Sequence, residues 1–306
     1  MPSFRSRFFN FMIRNRNLFL GKKRKETFTM DTSIAEFRAS CTKSARRYSR
    51  MAQGVSVTHT TLGEVPAEWL MPQGAPEGKA ILYVHGGGYV SGSCEDHRGF
   101  ISRFARRTGY QTLTFSYRLA PEHPWPAAVE DGISVYRALM QSGFLPGNIL
   151  FAGESAGGGL TLALLLAIKD KGLPYPSAAV AISPWTDLTC SGASYHTKNK
   201  VSVAPIDSWN VFSRHYAGGE DLRNPLISPL FGDLKGLPPL WINAGTDDEL
   251  YDDGEMFYRK ALEAGVEANF RAGERQVHCY PLLAPMFREA TEAMYEIAGF
   301  IRNKLG

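Results

Sequence analysis

The chain has few cysteines, and the four it has (Cys41, Cys94, Cys190 and Cys279) form no C-x-x-C pair. That gives no sign of a disulfide framework or of a thiolate metal or redox cluster. Long hydrophobic runs are also missing. No segment approaches the roughly 20 apolar residues that a membrane-crossing helix needs. Asn10 and Arg14 interrupt the apolar start of the chain, and no small-residue cleavage site follows. The expectation is therefore a cytoplasmic protein without a secretory signal. Internal repeats and low-complexity tracts are absent. Acid is missing from residues 1–25, which hold Arg5, Arg7, Arg14, Arg16, Lys22, Lys23, Arg24 and Lys25. Those eight account for the basic balance: of 34 Lys and Arg residues, 26 remain against 30 acids, so the body has a net charge of −4. A nucleic-acid-binding body does not fit that balance.

Two amphipathic stretches come first. In residues 4–20, Phe4, Phe8, Met12 and Phe19 stand near helical spacing with arginines between them. This reads as a helix whose aromatics cover a site, or else as a basic, aromatic segment making weak contact with a membrane surface. In residues 32–51, Ile34, Phe37, Cys41, Ala45 and Tyr48 recur every three or four positions, with Asp31 or Thr32 as expected N-cap.

From Val55 the pattern changes to strands at 55–62, 67–71, 79–84, 110–116, 148–152, 178–183, 238–243 and 267–271. Helices are expected at 97–108, 126–141, 156–171, 253–264 and 285–303. Short apolar runs such as Ala80-Ile81-Leu82-Tyr83-Val84 suit strands buried on both faces. Their alternation with helices predicts an α/β fold with a mostly parallel eight-stranded sheet, helices on both faces. Residues 187–228 break the rhythm with Ser, Thr, Asn, Lys and aromatics. Together with residues 1–53 they read as a helical cap over the carboxyl ends of strands in residues 54–186 and 229–306.

The strongest chemical signal is Gly153-Glu154-Ser155-Ala156-Gly157, set between a strand and a helix. This is the G-x-S-x-G nucleophile elbow of α/β hydrolases, a turn so tight that only small residues fit beside the serine. It delivers Ser155 to a helix N-terminus, where free N–H groups favour a developing oxyanion. Upstream, His85-Gly86-Gly87-Gly88 turns back with exposed amides. No Gly-Lys-Ser/Thr follows, so the loop is not a phosphate cradle. The amides of Gly86, Gly87 and Ala156 are the expected oxyanion donors. His85 reads as a loop-stabilising residue.

An elbow serine needs a base, and chain order in these hydrolases runs serine, acid, histidine. His196, His215 and His278 follow Ser155. Only His278 lies between the last strand and the last helix, where a loop reaches back to the serine. The acid belongs to a loop with five candidates, Asp247, Asp248, Glu249, Asp252 and Asp253, among which spacing does not choose. Asp252 and Asp253 resemble N-caps.

These motifs, together with Tyr117-Arg118-Leu119-Ala120-Pro121-Glu122-His123-Pro124, Ser183-Pro184-Trp185-Thr186-Asp187-Leu188 and Asp248-Glu249-Leu250-Tyr251-Asp252-Asp253, resemble the hormone-sensitive-lipase-like esterases. The likeness runs from about Val55 to the C-terminus. It implies Asp248 as the acid, with Asp247 the neighbouring alternative, and a carboxylesterase acting on short- to medium-chain acyl esters without metal or organic cofactor. The chain departs from the family pattern at Glu154, where Asp is frequent, and at Cys279-Tyr280, where Gly-Phe usually follows the histidine. By position, Tyr89, Trp185, Trp209 and Phe212 are candidates to line the substrate pocket. The partner expected is a small-molecule ester, with the chain a monomer or homodimer. A non-catalytic small-ligand receptor on the same fold requires a missing serine or histidine, and both stand. Amide or formamide hydrolysis uses the same machinery.

Overall fold

The computed structural model describes residues 1–15, 26–48 and 50–306. Of the N-terminal expectations, Phe19, Arg16, Lys22, Lys23, Arg24 and Lys25 lie outside the described residues. Eight strands form one sheet: β1 (Val55–Leu62), β2 (Val65–Pro72), β3 (Ala80–Val84), β4 (Gln111–Phe115), β5 (Ile149–Glu154), β6 (Ala178–Ile182), β7 (Leu240–Gly245) and β8 (Ala268–Gly273). Their order is β1-β2-β4-β3-β5-β6-β7-β8. The β1–β2 and β2–β4 pairs are antiparallel, and every other pair is parallel.

Each central strand is buried from end to end, with alternate side chains in two cores. Ala80, Leu82, Val84, Ile149 and Phe151 face one layer, and Ile81, Tyr83, Leu150 and Ala152 the other. Helices α3 (Cys94–Thr108) and α9 (Arg288–Leu305) cover the second core, through Ile101, Phe104, Met294 and Ile297. Helices α4 (Ala127–Gln141), α5 (Ala156–Asp170) and α8 (Tyr251–Glu263) cover the first, through Tyr136, Leu164 and Phe257. This two-sided cover explains why the strands read as unbroken apolar runs rather than as alternation. Parallel register then gathers the functional loops. Val84 pairs with Gly153 and Glu154 with Ile182, so the chain leaves β3, β5 and β6 at one edge.

The two irregular regions meet. Residues 187–228 contain no strand but two helices, α6 (Ser194–Thr197) and α7 (Ser208–Ala217). Phe28 N–H donates to Ile206 O at 2.9 Å, and Ile206 N–H donates to Glu26 O at 2.8 Å. Helix α2 (Ile34–Tyr48) follows. Its N-terminus is capped by Ser33, whose Oγ accepts from Glu36 N–H at 3.2 Å, rather than by Asp31 or Thr32. Thr32 Oγ1 instead accepts from Thr29 N–H.

Helix α1 (Phe4–Arg14) corrects the reading that its aromatics cover a site. The face turned inward is polar. Ser6 Oγ donates to Gln276 Oε1 at 3.0 Å, and Asn10 Nδ2 donates to the Arg275 carbonyl at 3.0 Å. Phe4, Phe8 and Phe11 point outward, 80%, 58% and 56% exposed. Only Phe9 packs inward, with its ring 5.7 Å from Phe287. Hydrogen-bonded polar groups hold this helix down while its apolar face meets solvent.

Candidate active site

Ser155 has φ 58° and ψ −127°, a left-handed conformation that costs about 1–3 kcal/mol for a residue with a side chain. Surrounding bonds hold it there. Its N–H donates to Ile182 O, and its carbonyl accepts from Gly159 and Trp185 N–H. Close packing enforces the small neighbours. A Cβ on Gly153 would lie 2.4 Å from Gly157 O, and one on Gly157 would lie 2.3 Å from both Val84 O and His85 O. The motif glycines are therefore places where the backbones of β3, β5 and α5 touch. Ala156 opens α5, so its N–H has no intrahelical acceptor.

The glycine-rich loop differs from expectation at one amide. Gly86 N–H does not face an open position: it donates to Glu154 Oε1 at 2.7 Å. The residue before the nucleophile thus braces the loop, and an occupied donor cannot serve an oxyanion. Gly87 (φ 119°) and Gly88 (φ 66°) form the turn itself, and among the described residues their amides have no acceptor. Burial raises the Glu154 carboxyl above its usual range, against the opposing pull of His97 nearby. His97 Nε2 lies 3.4 Å from Glu154 Oε1. His85 stacks between His97 and Tyr117, with ring centroids 5.0 and 4.3 Å away. Burial first, and His97 second, bring the His85 pKa down to about 3. It is neutral, and its Nδ1–H donates to Gly86 O at 2.8 Å. His85 fixes the loop and is not a base.

Asp248 and His278 are brought together. His278 Nδ1–H donates to Asp248 Oδ2 at 2.7 Å, while Asp248 Oδ1 accepts from Leu250 N–H at 3.1 Å. Asp248 is 1% exposed. Burial pulls the His278 pKa down, but the charge and hydrogen bond of Asp248, together with the neighbouring Cys279, outweigh it and hold the pKa well above the ordinary 6.5. The other four acids have different tasks. Asp247 Oδ2 accepts from Arg14 at 2.5 Å. Glu249 Oε2 accepts from Ser202 Oγ and from Trp209 Nε1. Asp252 and Asp253 are not N-caps. They lie inside the first turn of α8, where Asp252 Oδ2 takes Ser194 N–H and Asp253 Oδ2 takes Thr186 and Asp187 N–H, each at 2.8 Å. These carboxylates tie residues 186–194 to the first turn of α8.

The four aromatic candidates separate into two pairs. All four are buried: Tyr89 and Trp185 are 1% and 0% exposed, Trp209 and Phe212 8% and 5%. Tyr89 stacks on Tyr216 at 3.7 Å, and Trp185 meets Trp209 edge-on at 5.0 Å. Trp209 lies 5.8 Å from the His278 ring, held by its bond to Glu249. Phe212 presses on the glycine loop, where a Cβ on Gly88 would fall 2.5 Å from its ring. Sequence reading missed Glu154 as a brace and Glu249 as the anchor of Trp209. Both contacts span distant parts of the chain, and spacing carries no signal for them.

A family profile described as the α/β hydrolase fold matches residues 81–282. The chain is 41% identical over 248 residues to an acetyl-hydrolase of Streptomyces hygroscopicus, covering 80% of this chain and 82% of that protein. It is 35% identical over 223 residues to an esterase of Acinetobacter venetianus, covering 72% and 73%. Among solved structures, an esterase from the bacterial hormone-sensitive lipase family superposes with a TM-score of 0.89 at 35% identity over the whole of both chains. The esterase EstE5, soaked with p-nitrophenyl butyrate, gives 0.91 at 36% identity, covering 99% of each. The chain belongs to the α/β-hydrolase family, among the hormone-sensitive-lipase-like esterases.

Proposed function

We propose that this carboxylesterase hydrolyses short- to medium-chain acyl esters through an acyl-enzyme on Ser155. The observation carrying this reading is the 2.7 Å bond from His278 to a buried carboxylate, in a chain whose elbow serine is held in a strained backbone conformation. His278 takes the Ser155 proton as Oγ attacks the ester carbonyl, and the Asp248 carboxylate stabilises the imidazolium. The amides of Gly87, Gly88 and Ala156 hold the oxyanion, with Gly88 replacing the occupied Gly86. His278 then protonates the leaving alkoxide and activates the water that releases the acid. Trp209 and Phe212 border the acyl side. The acetyl-hydrolase relative and the butyrate-soaked structure support a preference for short chains. The four unpaired cysteines suit a reducing cytoplasm.

Initial rates on a p-nitrophenyl ester series test this reading. The highest kcat/KM is expected between acetate and hexanoate, with a fall toward laurate. Turnover of anilides or formamides without turnover of any ester in the series would reassign the reaction.

The outward face of α1 supports a second property, weak contact with an anionic membrane surface. Phe4, Phe8 and Phe11 are exposed beside Arg5 and Arg7, and aromatic and basic residues together favour an anionic interface. No helix among the described residues is long and apolar enough to cross a membrane. Phosphatidylglycerol vesicles should sediment the intact protein, and Phe4→Ser/Phe8→Ser/Phe11→Ser should remain in the supernatant. Equal sedimentation of both proteins refutes the contact, and dimer dissociation in the triple variant assigns this face to a second copy.

A further inference from the structure

A groove of about 620 Å³ lies away from Ser155, between α3, α9 and the 3-10 turn at residues 280–283. Its apolar base includes Phe104, Leu282, Ala284 and Met294, and its rim bears Arg103, Arg106 and Arg107. Arg103 is partly buried. Its Nη1 donates to Arg50 O at 2.8 Å, and its guanidinium lies 4.7 Å from the Phe100 ring centroid. Arg107 lies 4.4 Å over Tyr295. Among the described residues, none of the three has a carboxylate partner, and the residues outside that description, 16–25 and 49, include no Asp or Glu.

The last turn of α3 accounts in part for Arg106 and Arg107, since cations complement a helix C-terminus. It does not account for Arg103, a turn earlier, where burial lowers the pKa with no acid to compensate. Unneutralised guanidinium groups over an apolar base match one kind of occupant. The head must be anionic and able to take charge-assisted hydrogen bonds, and the tail must be apolar. The volume falls in the range of ligand pockets.

We propose that this groove binds an amphiphile with one anionic head, either the carboxylic acid that the esterase releases or a phosphate-headed lipid fragment. The carboxylic-acid source rests on the esterase reading. The groove also touches the site's support, because Pro281 and Leu282 line it and belong to the turn that begins two residues after His278.

Calorimetric titration of the Ser155→Ala protein reads binding without turnover. The probes are decanoate below its micellar range, decyl phosphate and 1-decanol. Decanoate or decyl phosphate is expected to bind saturably at one site, with affinity rising about threefold to fourfold per added methylene across homologues. Decanol, lacking the charge, should bind about tenfold more weakly or worse. Arg103→Gln/Arg107→Gln in the same background should weaken the anionic probe by a similar factor, while Arg103→Lys/Arg107→Lys retains most of the affinity. Thermal melts of both double variants check that they fold. Preference for decanoate assigns the reaction product, and preference for decyl phosphate assigns the lipid fragment. Unchanged decanoate affinity in the Gln variant would place the ligand in the acyl site and overturn the proposal, as would decanol binding equally well. Loss of the esterase reading alone would leave these titrations unchanged.

Discussion

Ser155→Ala is expected to lower kcat on p-nitrophenyl butyrate by about 10⁶-fold, since loss of the nucleophile disables a triad as a unit. Whatever remains comes from the oxyanion donors and binding alone, about 10³–10⁴-fold over water. The fold should survive. Among the described residues Ser155 Oγ has no hydrogen-bond partner, while the bonds that hold its left-handed backbone involve its N–H and carbonyl. Alanine keeps those bonds, and a circular-dichroism melt should shift by only a few degrees. Turnover within tenfold of the parent at an unchanged melting temperature would move the nucleophile elsewhere.

Asp248→Asn carries the second-largest effect, a fall in kcat of about 10³–10⁴-fold. An asparagine amide turned toward Nδ1 favours the tautomer with its proton on the other nitrogen, and the imidazolium loses its counter-charge. Asp247→Asn is the control. It loses the ion pair with Arg14 and keeps the His278 contact, so its kcat should stay within about threefold of the parent, as expected for a largely structural ion pair. The pH dependence separates the two variants further. Only neutral His278 accepts the serine proton, so kcat/KM rises with pH as the imidazolium deprotonates. Burial lowers that pKa, and Asp248 together with the neighbouring Cys279 raises it further than burial lowers it, so the parent's midpoint lies above the ordinary histidine value of about 6.5. In Asp248→Asn the raising charge is gone and burial remains, so the midpoint moves to lower pH. A midpoint that stays in place in Asp248→Asn and moves in Asp247→Asn would exchange their roles.

The contrast between these carboxylates shows how far sequence reaches. Strands buried on both faces announce themselves as apolar runs, and β3 to β6 begin and end within two residues of expectation. The elbow is legible because packing demands small residues there, as the contacts around Gly153 and Gly157 make plain. Five acids in one loop are chemically alike in sequence, and each is distinguished only by its partner, which lies up to 233 residues away for Asp247 and Arg14. The oxyanion loop failed at Gly86 for the same reason, because its amide is claimed by a carboxylate 68 residues later. Helix α1 shows a different limit. Periodicity reveals that a helix has two faces, but here Gln276 and the Arg275 carbonyl choose the polar one. The buried positions of Tyr89 and Trp185 come with a stack on Tyr216 and an edge-on contact with Trp209, which no local pattern encodes.

The paired backbone bonds between residues 26–28 and Ile206 set a rule for recombination among relatives. The N-terminal segment and the insertion are encoded almost 180 residues apart, yet they share a hydrogen-bonded seam, and Phe28 and Phe37 pack against Phe212 across it. A chimaera that takes only one of the two segments from another esterase inherits a mismatched seam directly above the glycine loop. For grafting substrate preference, the transferable unit is discontinuous: both segments belong in the same exchange, and the sheet can stay as it is.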